Sequence, residues 1–466
     1  MFSLLKINNP KVIGYYHSRQ SRLIVLLLIL TPLCGQKTLA ETVPEPVFGG
    51  QVYIEQAGTP GKPAVVLIHG LGDEAATSWN TTTTYLEKDY ALFKFDLPGF
   101  RRSSKANELY SPENYTKLIR FLTQKYVESP FHLVGHSMGG AIALDYAATH
   151  PNDVKTLTLA NPAGILHRLA YSQFLVPLGI DFMTNGSLPA KDRLSQFAGK
   201  IMSSLDQRLP VNLETMMPLP IFRAQFLGGN PKTISAMALV LHDFSQIPEQ
   251  VTAPTLIVWG EHDSIAPVRT GHVLNALIPN SQLEIISGAG HVPFVEAPRK
   301  FHQFLLNHLA HPKVNATLSS PRLPNRVQHT AQSCENEQNK VYTGTIEQLS
   351  IRHCSKILIQ DARITQLSII DSTVEIRNSH LKSDRIALIS QSSHITLTAG
   401  TVEGDIAIKV YQSQLDVAGT LIIGKTAAIT APVESTALFS LGRIDSPHQP
   451  GHIMHGQTLI TPHKPL

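Results

Sequence analysis

The chain has 466 residues, which is too long for a single comfortable hydrophobic core and predicts two or three domains. Its 42% hydrophobic and 16% charged residues argue against disorder on a large scale. The formal charge of +4 comes from five basic side chains in the first 40 residues, which contain no acid; the remaining 34 basic and 35 acidic side chains leave no electrostatic footprint for nucleic acid.

Residues 1–40 have the pattern of a secretory signal peptide. Basic residues extend to Arg22, an apolar run of about eleven residues covers Leu23 to Leu33, and Thr38-Leu39-Ala40 precedes Glu41. We therefore expect cleavage after Ala40 and a periplasmic or secreted protein. An uncleaved anchor is the alternative, although the run is shorter than the ~20 residues of a membrane span. Lipidation of Cys34 is a third option.

Residues 41–312 are predicted to form an α/β domain. From about residue 50, short apolar strands alternate with helical patterns, as in a mostly parallel sheet covered by helices. The clearest strands are Val65–Ile68, Leu92–Phe95, Phe131–Val134, Lys155–Leu159, Thr255–Val258 and Leu283–Ile286.

Residues 165–250 interrupt this alternation with helical periodicity and predict an inserted helical cap. Its apolar segments suit either an acyl pocket under a lid or the cap's own core. These segments are Phe174-Leu175-Val176, Met216-Met217 and Ile221-Phe222.

Residues 313–340 are rich in Pro, Asn, Ser and Gln and predict a linker. Beyond it, residues 341–466 predict a repetitive β domain. Ser372–Ile376 is echoed at Ser393–Leu397, at Ser413–Val417 and more loosely near Ser435. A second series of strands is expected at Ile386–Ile389, Ile406–Val410 and Ala427–Thr430. Offsets of about 20–22 residues suit the coils of a β-solenoid, with an evenly spaced β-sandwich as the alternative.

The mature chain would keep two cysteines, Cys334 and Cys354. An even pair in an oxidising compartment predicts a disulfide, with two buried thiols as the alternative. Neither cysteine has a CxxC or histidine partner at metal spacing, so we predict no metal site.

Gly135-His136-Ser137-Met138-Gly139 predicts a nucleophilic serine. The motif follows the strand Phe131–Val134 and opens a helix, and small residues two positions either side of the serine allow a sharp turn that exposes its hydroxyl. A hydroxyl attacks a carbonyl well only when a base and oxyanion donors are within reach.

With this motif the chain resembles the α/β-hydrolase superfamily over about residues 50–310. His69-Gly70-Leu71-Gly72 resembles the oxyanion loop of that family, which implies that the backbone N–H groups of Leu71 and Met138 hold the oxyanion. Asp96-Leu97-Pro98-Gly99-Phe100 resembles the next strand-loop signature, except that Arg101 stands where a glycine is usual.

The resemblance also supplies the partners of Ser137. Trp259-Gly260-Glu261-His262-Asp263 matches the segment that carries the acid, and Gly288-Ala289-Gly290-His291 matches the segment that carries the base. The expected triad is Ser137, His291 and Asp263, and all three follow strands whose ends meet at one sheet edge. Glu261 is the rival acid. His69, His136 and Trp259 are candidate pocket residues.

A serine rather than an aspartate at position 137 argues against dehalogenase and epoxide-hydrolase chemistry. The expected reaction is hydrolysis of a carboxylic ester or lipid through an acyl-enzyme, without a cofactor. A carbon–carbon hydrolase of the same fold and a non-catalytic binding protein are the alternatives. The C-terminal region carries no catalytic motif, and we expect it to have a structural role or to bind a surface, with envelope or glycan as the contact.

Overall fold

The structure is a computed structural model that describes residues 39–170, 213–313 and 331–466. Three predictions fall mainly outside these ranges, and one of them is the predicted linker, of which residues 314–330 are not described. Of the predicted signal peptide only Leu39 and Ala40 are described, and they begin the first strand. The cap segment Phe174–Val176 is not among the described residues.

An eight-stranded sheet forms the centre of the first region. Its order is β1-β2-β4-β3-β5-β6-β7-β8, in which β2 pairs antiparallel with both β1 and β4, and β3 to β8 pair parallel with one another. All six predicted strands are present. The strands are β1 (Leu39–Pro44), β2 (Gln51–Gly58), β3 (Ala64–Ile68), β4 (Ala91–Asp96), β5 (Phe131–His136), β6 (Val154–Ala160), β7 (Thr255–Gly260) and β8 (Ser281–Ile286).

Helices cover both faces of this sheet, because its central strands are apolar on both sides and bury every residue, as in β5 and β7. The helices are α1 (Asn80–Leu86), α2 (Pro112–Tyr126), α3 (Met138–Thr149), α4 (Leu213–Met216), α5 (Pro220–Phe226), α6 (Pro231–Leu241), α7 (Arg269–Leu277), α8 (Pro293–Glu296) and α9 (Pro298–Ala310). In the described part of the chain, no helix is long and apolar enough to cross a membrane.

The described part of the cap contains α4, α5 and α6, and its apolar residues divide into two groups. Met217 and Phe222 are buried and join the main core cluster. Ile221 and Phe226 lie on the surface, with exposed fractions of 65% and 69%. The apolar residues of the described cap therefore fall into two sets. One set packs in the core, and the other set is exposed at the surface.

The C-terminal region is all-β. Its strands are β9 (Ala331–Glu335), β10 (Val341–Arg352), β11 (Ile357–Ile370), β12 (Thr373–Lys382), β13 (Ile386–Gln391), β14 (His394–Tyr411), β15 (Gln414–Ala418), β16 (Leu421–Val433), β17 (Ser435–Ser446) and β18 (Gln449–Ile460). The first nine pair parallel at offsets of 17 to 22 residues, and β18 pairs antiparallel with β17.

Strand β9 lies inside the stretch predicted to be a linker. Five residues without a hydrophobic period give no local strand signal. Their pairing comes from the neighbouring strand, because Cys334 lies opposite Ile351 of β10 and is bonded to Cys354. The predicted disulfide is present, with a Cα–Cα distance of 6.6 Å.

A ladder of buried serines explains the sequence repeat of this region. The hydroxyl of Ser393 accepts the amide of Ser372 at 3.1 Å, Ser413 accepts Ser393 at 3.2 Å, and Ser435 accepts Ser413 at 3.1 Å. Ser372 in turn accepts the amide of Cys354 at 2.9 Å. Each rung satisfies a buried N–H that lies 18 to 22 residues earlier in the chain, so serine recurs at the spacing of the paired strands.

Candidate active site

Ser137 lies at the sharp turn between β5 and α3. Its backbone has φ +53° and ψ −122°, a strained conformation for a residue with a side chain. The glycines at 135 and 139 are needed for the turn: a Cβ on Gly135 would lie 2.3 Å from the Gly139 carbonyl, and a Cβ on Gly139 would lie 2.4 Å from the His69 carbonyl. The sequence thus folds into the elbow that the motif predicts.

The structure brings the three side chains of the expected triad together. Oγ of Ser137 donates to Nε2 of His291 at 2.9 Å, and Nδ1 of His291 donates to Oδ2 of Asp263 at 2.8 Å. With Nδ1 protonated toward the carboxylate, Nε2 is available to accept the serine proton. The arrangement can therefore move a proton from the hydroxyl to the imidazole.

Asp263 is held as a carboxylate by several donors. Its Oδ1 accepts the amides of Ile265 and Ala266 at 2.8 and 3.0 Å, and its Oδ2 accepts the side-chain amide of Asn161 at 2.5 Å. Burial alone would raise the pKa of Asp263, but the hydrogen bonds from His291, Ala266 and Asn161 lower it below the ordinary value. The charge needed to stabilise an imidazolium is thus maintained.

Asn161 was missed by the sequence analysis. It follows β6 with φ +46°, and its side chain also donates to the Gly290 carbonyl at 3.4 Å, beside His291. The available signal was its position, a polar residue at the carboxyl end of a parallel strand, where α/β sheets place their sites.

The carboxylate of Glu261, the rival acid, is hydrogen-bonded to the loop before His291 and not to the imidazole. Its carboxylate accepts the hydroxyl of Ser287 at 2.7 Å and the amide of Gly288 at 3.2 Å, and half of its side chain is exposed. Asp263 is the carboxylate that contacts the imidazole of His291.

His69 fixes the loop beside Ser137. Its Nε2 accepts the amide of Leu97 at 2.9 Å, so the proton is on Nδ1, which donates to the Gly70 carbonyl at 2.7 Å. Burial lowers the pKa of His69 to about 4 and keeps the ring neutral. Gly70 packs directly on the serine, since a Cβ there would lie 2.8 Å from Ser137 Cβ. The residue after Gly70 is Leu71, one of the two expected oxyanion donors.

Met138, the other expected donor, is the first residue of α3. An amide at this position has no acceptor within its own helix, so it is free to face a developing charge.

Arg101 takes the conformation that the usual glycine would favour. Its φ is +37°, in the left-handed region. The neighbouring Arg102 binds Asp96 at 2.6 Å, and Asp96 also accepts the amide of Ala76 at 2.9 Å. Arg101 therefore occupies a left-handed backbone position, which a glycine would adopt without strain.

His136 and Trp259, the other candidate pocket residues, are both buried. Nε2 of His136 donates to the backbone carbonyl of His291 at 2.8 Å, and burial together with the nearby His291 lowers the pKa of His136 to about 3. The indole of Trp259 donates to the Ala266 carbonyl at 3.1 Å. Each side chain thus supports a loop that carries a residue of the site.

Comparison with known proteins gives the same family. The family model for the alpha/beta hydrolase fold matches residues 63–298, about half of the chain. An uncharacterized protein of Mycobacterium tuberculosis is 32% identical over 253 residues, covering 51% of this chain and 73% of that protein. A monoacylglycerol lipase of Xenopus laevis is 31% identical over 279 residues, covering 54% and 77%.

A solved structure titled as a putative lipase of Acinetobacter baumannii aligns at a TM-score of 0.43 and 24% identity, covering 59% of this chain and 91% of that one. The residues matched by the family model, 63–298, include Ser137, Asp263 and His291. This chain belongs to the α/β-hydrolase fold family.

Proposed function

We propose that this protein is an exported serine hydrolase that cleaves carboxylic esters. The observation that carries the proposal is the pair of hydrogen bonds from Ser137 through His291 to Asp263, at 2.9 and 2.8 Å. A similar monoacylglycerol lipase supports an acyl ester as the substrate class.

In the proposed reaction, Oγ of Ser137 attacks the ester carbonyl carbon as Nε2 of His291 takes its proton. The carbonyl oxygen becomes an oxyanion held by the amides of Leu71 and Met138. Collapse breaks the bond to the alcohol, which leaves with the proton from His291. Water, deprotonated by the same imidazole, then attacks the acyl carbonyl. The bond to Oγ breaks, Ser137 takes the proton back from His291 and the acid is released, while Asp263 stays ionised throughout.

A fluorophosphonate probe tests the nucleophile. We expect the wild type to be labelled and Ser137→Ala to be unlabelled. Ser111→Ala is the matched control, because Ser111 caps helix α2, where its hydroxyl accepts the Asn114 amide. A folded wild type that takes no label would favour the non-catalytic binding protein instead.

Nitrophenyl esters from acetate to palmitate test the substrate. Turnover of short chains alone would indicate an esterase, and a preference for long chains would indicate a lipase. Labelling without turnover of any ester would favour the carbon–carbon hydrolase.

Two observations support export. The segment before Glu41 has the pattern of a signal peptide, and Cys334 and Cys354 are bonded, as expected in an oxidising compartment. Cell fractionation tests this, with thiol alkylation before lysis to trap the cysteines. A cytoplasmic protein with both thiols alkylated would contradict export.

We also propose that the C-terminal region is a β-solenoid. Parallel pairing at near-constant offsets and the serine ladder support it, whereas a β-sandwich is built from antiparallel strands. Deleting one coil, residues 372–392, should leave a folded chain, since coils stack with like neighbours. Unfolding of that deletion variant would contradict a repeating architecture.

A further inference from the structure

The loop that carries Asp263 ends at Arg269, the first residue of α7. Within the loop, the Asp263 carboxylate accepts two backbone amides, and the indole N–H of Trp259 donates to the Ala266 carbonyl. The position of the carboxylate therefore depends on where the backbone from Asp263 to Arg269 is held.

The guanidinium of Arg269 is held by the C-terminal region rather than by the hydrolase region. Nη1 donates to Oδ2 of Asp416 at 2.6 Å and Nη2 to Oδ1 at 3.1 Å, which is a bidentate ion pair. Nε donates to the hydroxyl of Thr398 at 2.8 Å, and Nη2 reaches the carbonyls of Leu397 and Asp416 at 3.0 and 3.2 Å. Only 15% of the Arg269 side chain and 11% of the Asp416 side chain are exposed.

The same helix makes a second contact one turn later. Gly419 has φ +58° and packs on Val273 so closely that a Cβ would lie 2.8 Å from the Val273 side chain. Ala418, Leu438 and Leu441 of the C-terminal region join the main core cluster of the hydrolase. The start of α7 is therefore fixed against this region by an ion pair and by apolar packing.

We propose that Arg269 is a positioning residue: by binding Asp416 and Thr398 it anchors the loop of Asp263, so the C-terminal β region helps orient the acid that holds His291. This inference rests on the proposed function, because it assigns a role in that reaction. It also makes the C-terminal region a part of the hydrolase scaffold.

Arginine suits this position because its planar fork can donate to a carboxylate and to three further acceptors at once, the Thr398 hydroxyl and the carbonyls of Leu397 and Asp416. Lysine would keep the charge but could not make the bidentate pair together with the Thr398 and carbonyl contacts. Arg269→Lys should therefore rescue part of what Arg269→Met loses.

The chain offers a matched control across the same contact. Arg443 of β17 pairs with Glu249, which lies at the end of the cap segment and outside the acid loop. Both partners of that pair are 39% exposed. Arg443→Met removes an arginine–carboxylate pair between the same two regions without touching the loop of Asp263.

Hydrogen exchange of the full-length protein tests the anchoring directly. We expect the amides of Ile265 and Ala266 to exchange about tenfold faster or more in Arg269→Met and in Asp416→Asn, to be intermediate in Arg269→Lys, and to be unchanged in Arg443→Met. Wild-type exchange rates at both amides in folded Arg269→Met would overturn the proposal. If Arg269→Met does not fold, the exchange rates of the same two amides in Arg269→Lys and Asp416→Asn test the proposal, and wild-type rates in both variants would overturn it.

Steady-state kinetics on a nitrophenyl ester then test the consequence. We expect kcat to fall about fivefold in Arg269→Met with little change in KM, because misplacing the acid affects the chemical step and not substrate binding. An equal fall of kcat in Arg443→Met would overturn the proposal. Failure of the proposed function can be distinguished from failure of this proposal. In that case the wild type would show neither turnover nor fluorophosphonate labelling, whereas hydrogen exchange would still measure the effect of Arg269 on the loop.

Discussion

His136 donates its Nε2 proton to the backbone carbonyl of His291 across 2.8 Å, so the residue before Ser137 holds the loop of its hydrogen-bond partner. The two rings lie 5.0 Å apart, and the edge of the His136 ring also meets Trp79 and Phe294. Because burial and the nearby His291 lower the pKa of His136 to about 3, the ring is neutral near neutral pH and carries its proton on Nε2, where it makes this hydrogen bond.

We therefore expect His136→Ala to lower kcat about tenfold with little change in KM. The substitution leaves the His291 carbonyl without its buried donor and lets the imidazole drift from Ser137. Steady-state kinetics on a nitrophenyl ester measure this effect.

His132 is the matched control for that variant. It lies on the same strand, is equally buried and bonds Thr156 at 2.7 Å, away from the site. His132→Ala should lower the melting temperature as His136→Ala does but keep kcat. A parallel loss of kcat in both variants would mean that His136 acts only through general stability.

The strained backbone at Ser137 predicts an unusual order of stability. Both Ser137→Ala and Ser137→Gly should lose ester hydrolysis by about 10³-fold or more. Ser137→Gly should nevertheless be more stable than Ser137→Ala by about 1 kcal/mol, because glycine tolerates φ +53°. Urea denaturation gives the free energy of unfolding of each.

The opposite order is expected at Ser235, which is buried within helix α6. There Ser235→Gly should be less stable than Ser235→Ala by about 1 kcal/mol, since glycine disfavours an ordinary helix. If alanine were the more stable residue at both positions, the elbow at Ser137 would not be strained.

Buried neutral histidines predict a loss of stability in mild acid. Burial lowers the pKa of His69, His132 and His308 to about 4, below the ordinary value near 6.5 of an unfolded chain. Between pH 6.5 and 4 the unfolded state therefore binds more protons, and the free energy of unfolding falls as the pH is lowered. Each histidine adds a slope that approaches about 1.4 kcal/mol per pH unit.

Urea denaturation at several pH values between 7.5 and 4.5 measures this slope. His308→Asn should reduce the slope by up to about 1.4 kcal/mol per pH unit. The substitution removes the titrating imidazole, which bonds the Leu157 carbonyl at 3.2 Å. A free energy of unfolding that does not change over this interval would contradict neutral burial.

The convergence of Ser137, Asp263 and His291 could be predicted from sequence because each follows a strong strand signal. Strand ends of a parallel sheet meet at one edge, so three local patterns imply one site. The serine repeat was visible for a similar reason, since the same hydrogen bond recurs every 18 to 22 residues.

Asn161 and the Arg269–Asp416 pair could not be predicted in this way. Asn161 is one polar residue without a motif around it. Arg269 and Asp416 are 147 residues apart, and their contact depends on how two regions pack, which no local periodicity encodes. Strand β9 was missed because its pairing comes from β10 and the disulfide rather than from its own five residues.

The serine ladder makes a last prediction, at Ser393. Its hydroxyl accepts the buried amide of Ser372 at 3.1 Å and donates to the Gln391 carbonyl at 2.6 Å. That carbonyl also accepts the amide of Asp371 at 3.0 Å, so Ser393→Ala leaves only the Ser372 amide without a partner. We expect a loss of about 1–3 kcal/mol in the free energy of unfolding, the cost of one buried unsatisfied donor.

Ser368 provides the comparison for the same substitution. It is half-buried on β11, between the inward-facing Leu367 and Ile369. Ser368→Ala should change the free energy of unfolding by no more than about 0.5 kcal/mol, as for substitutions away from buried networks. Far-UV circular dichroism in urea measures both variants. Equal effects at Ser393 and Ser368 would mean that the ladder follows from the packing of the strands and does not itself stabilise the C-terminal region.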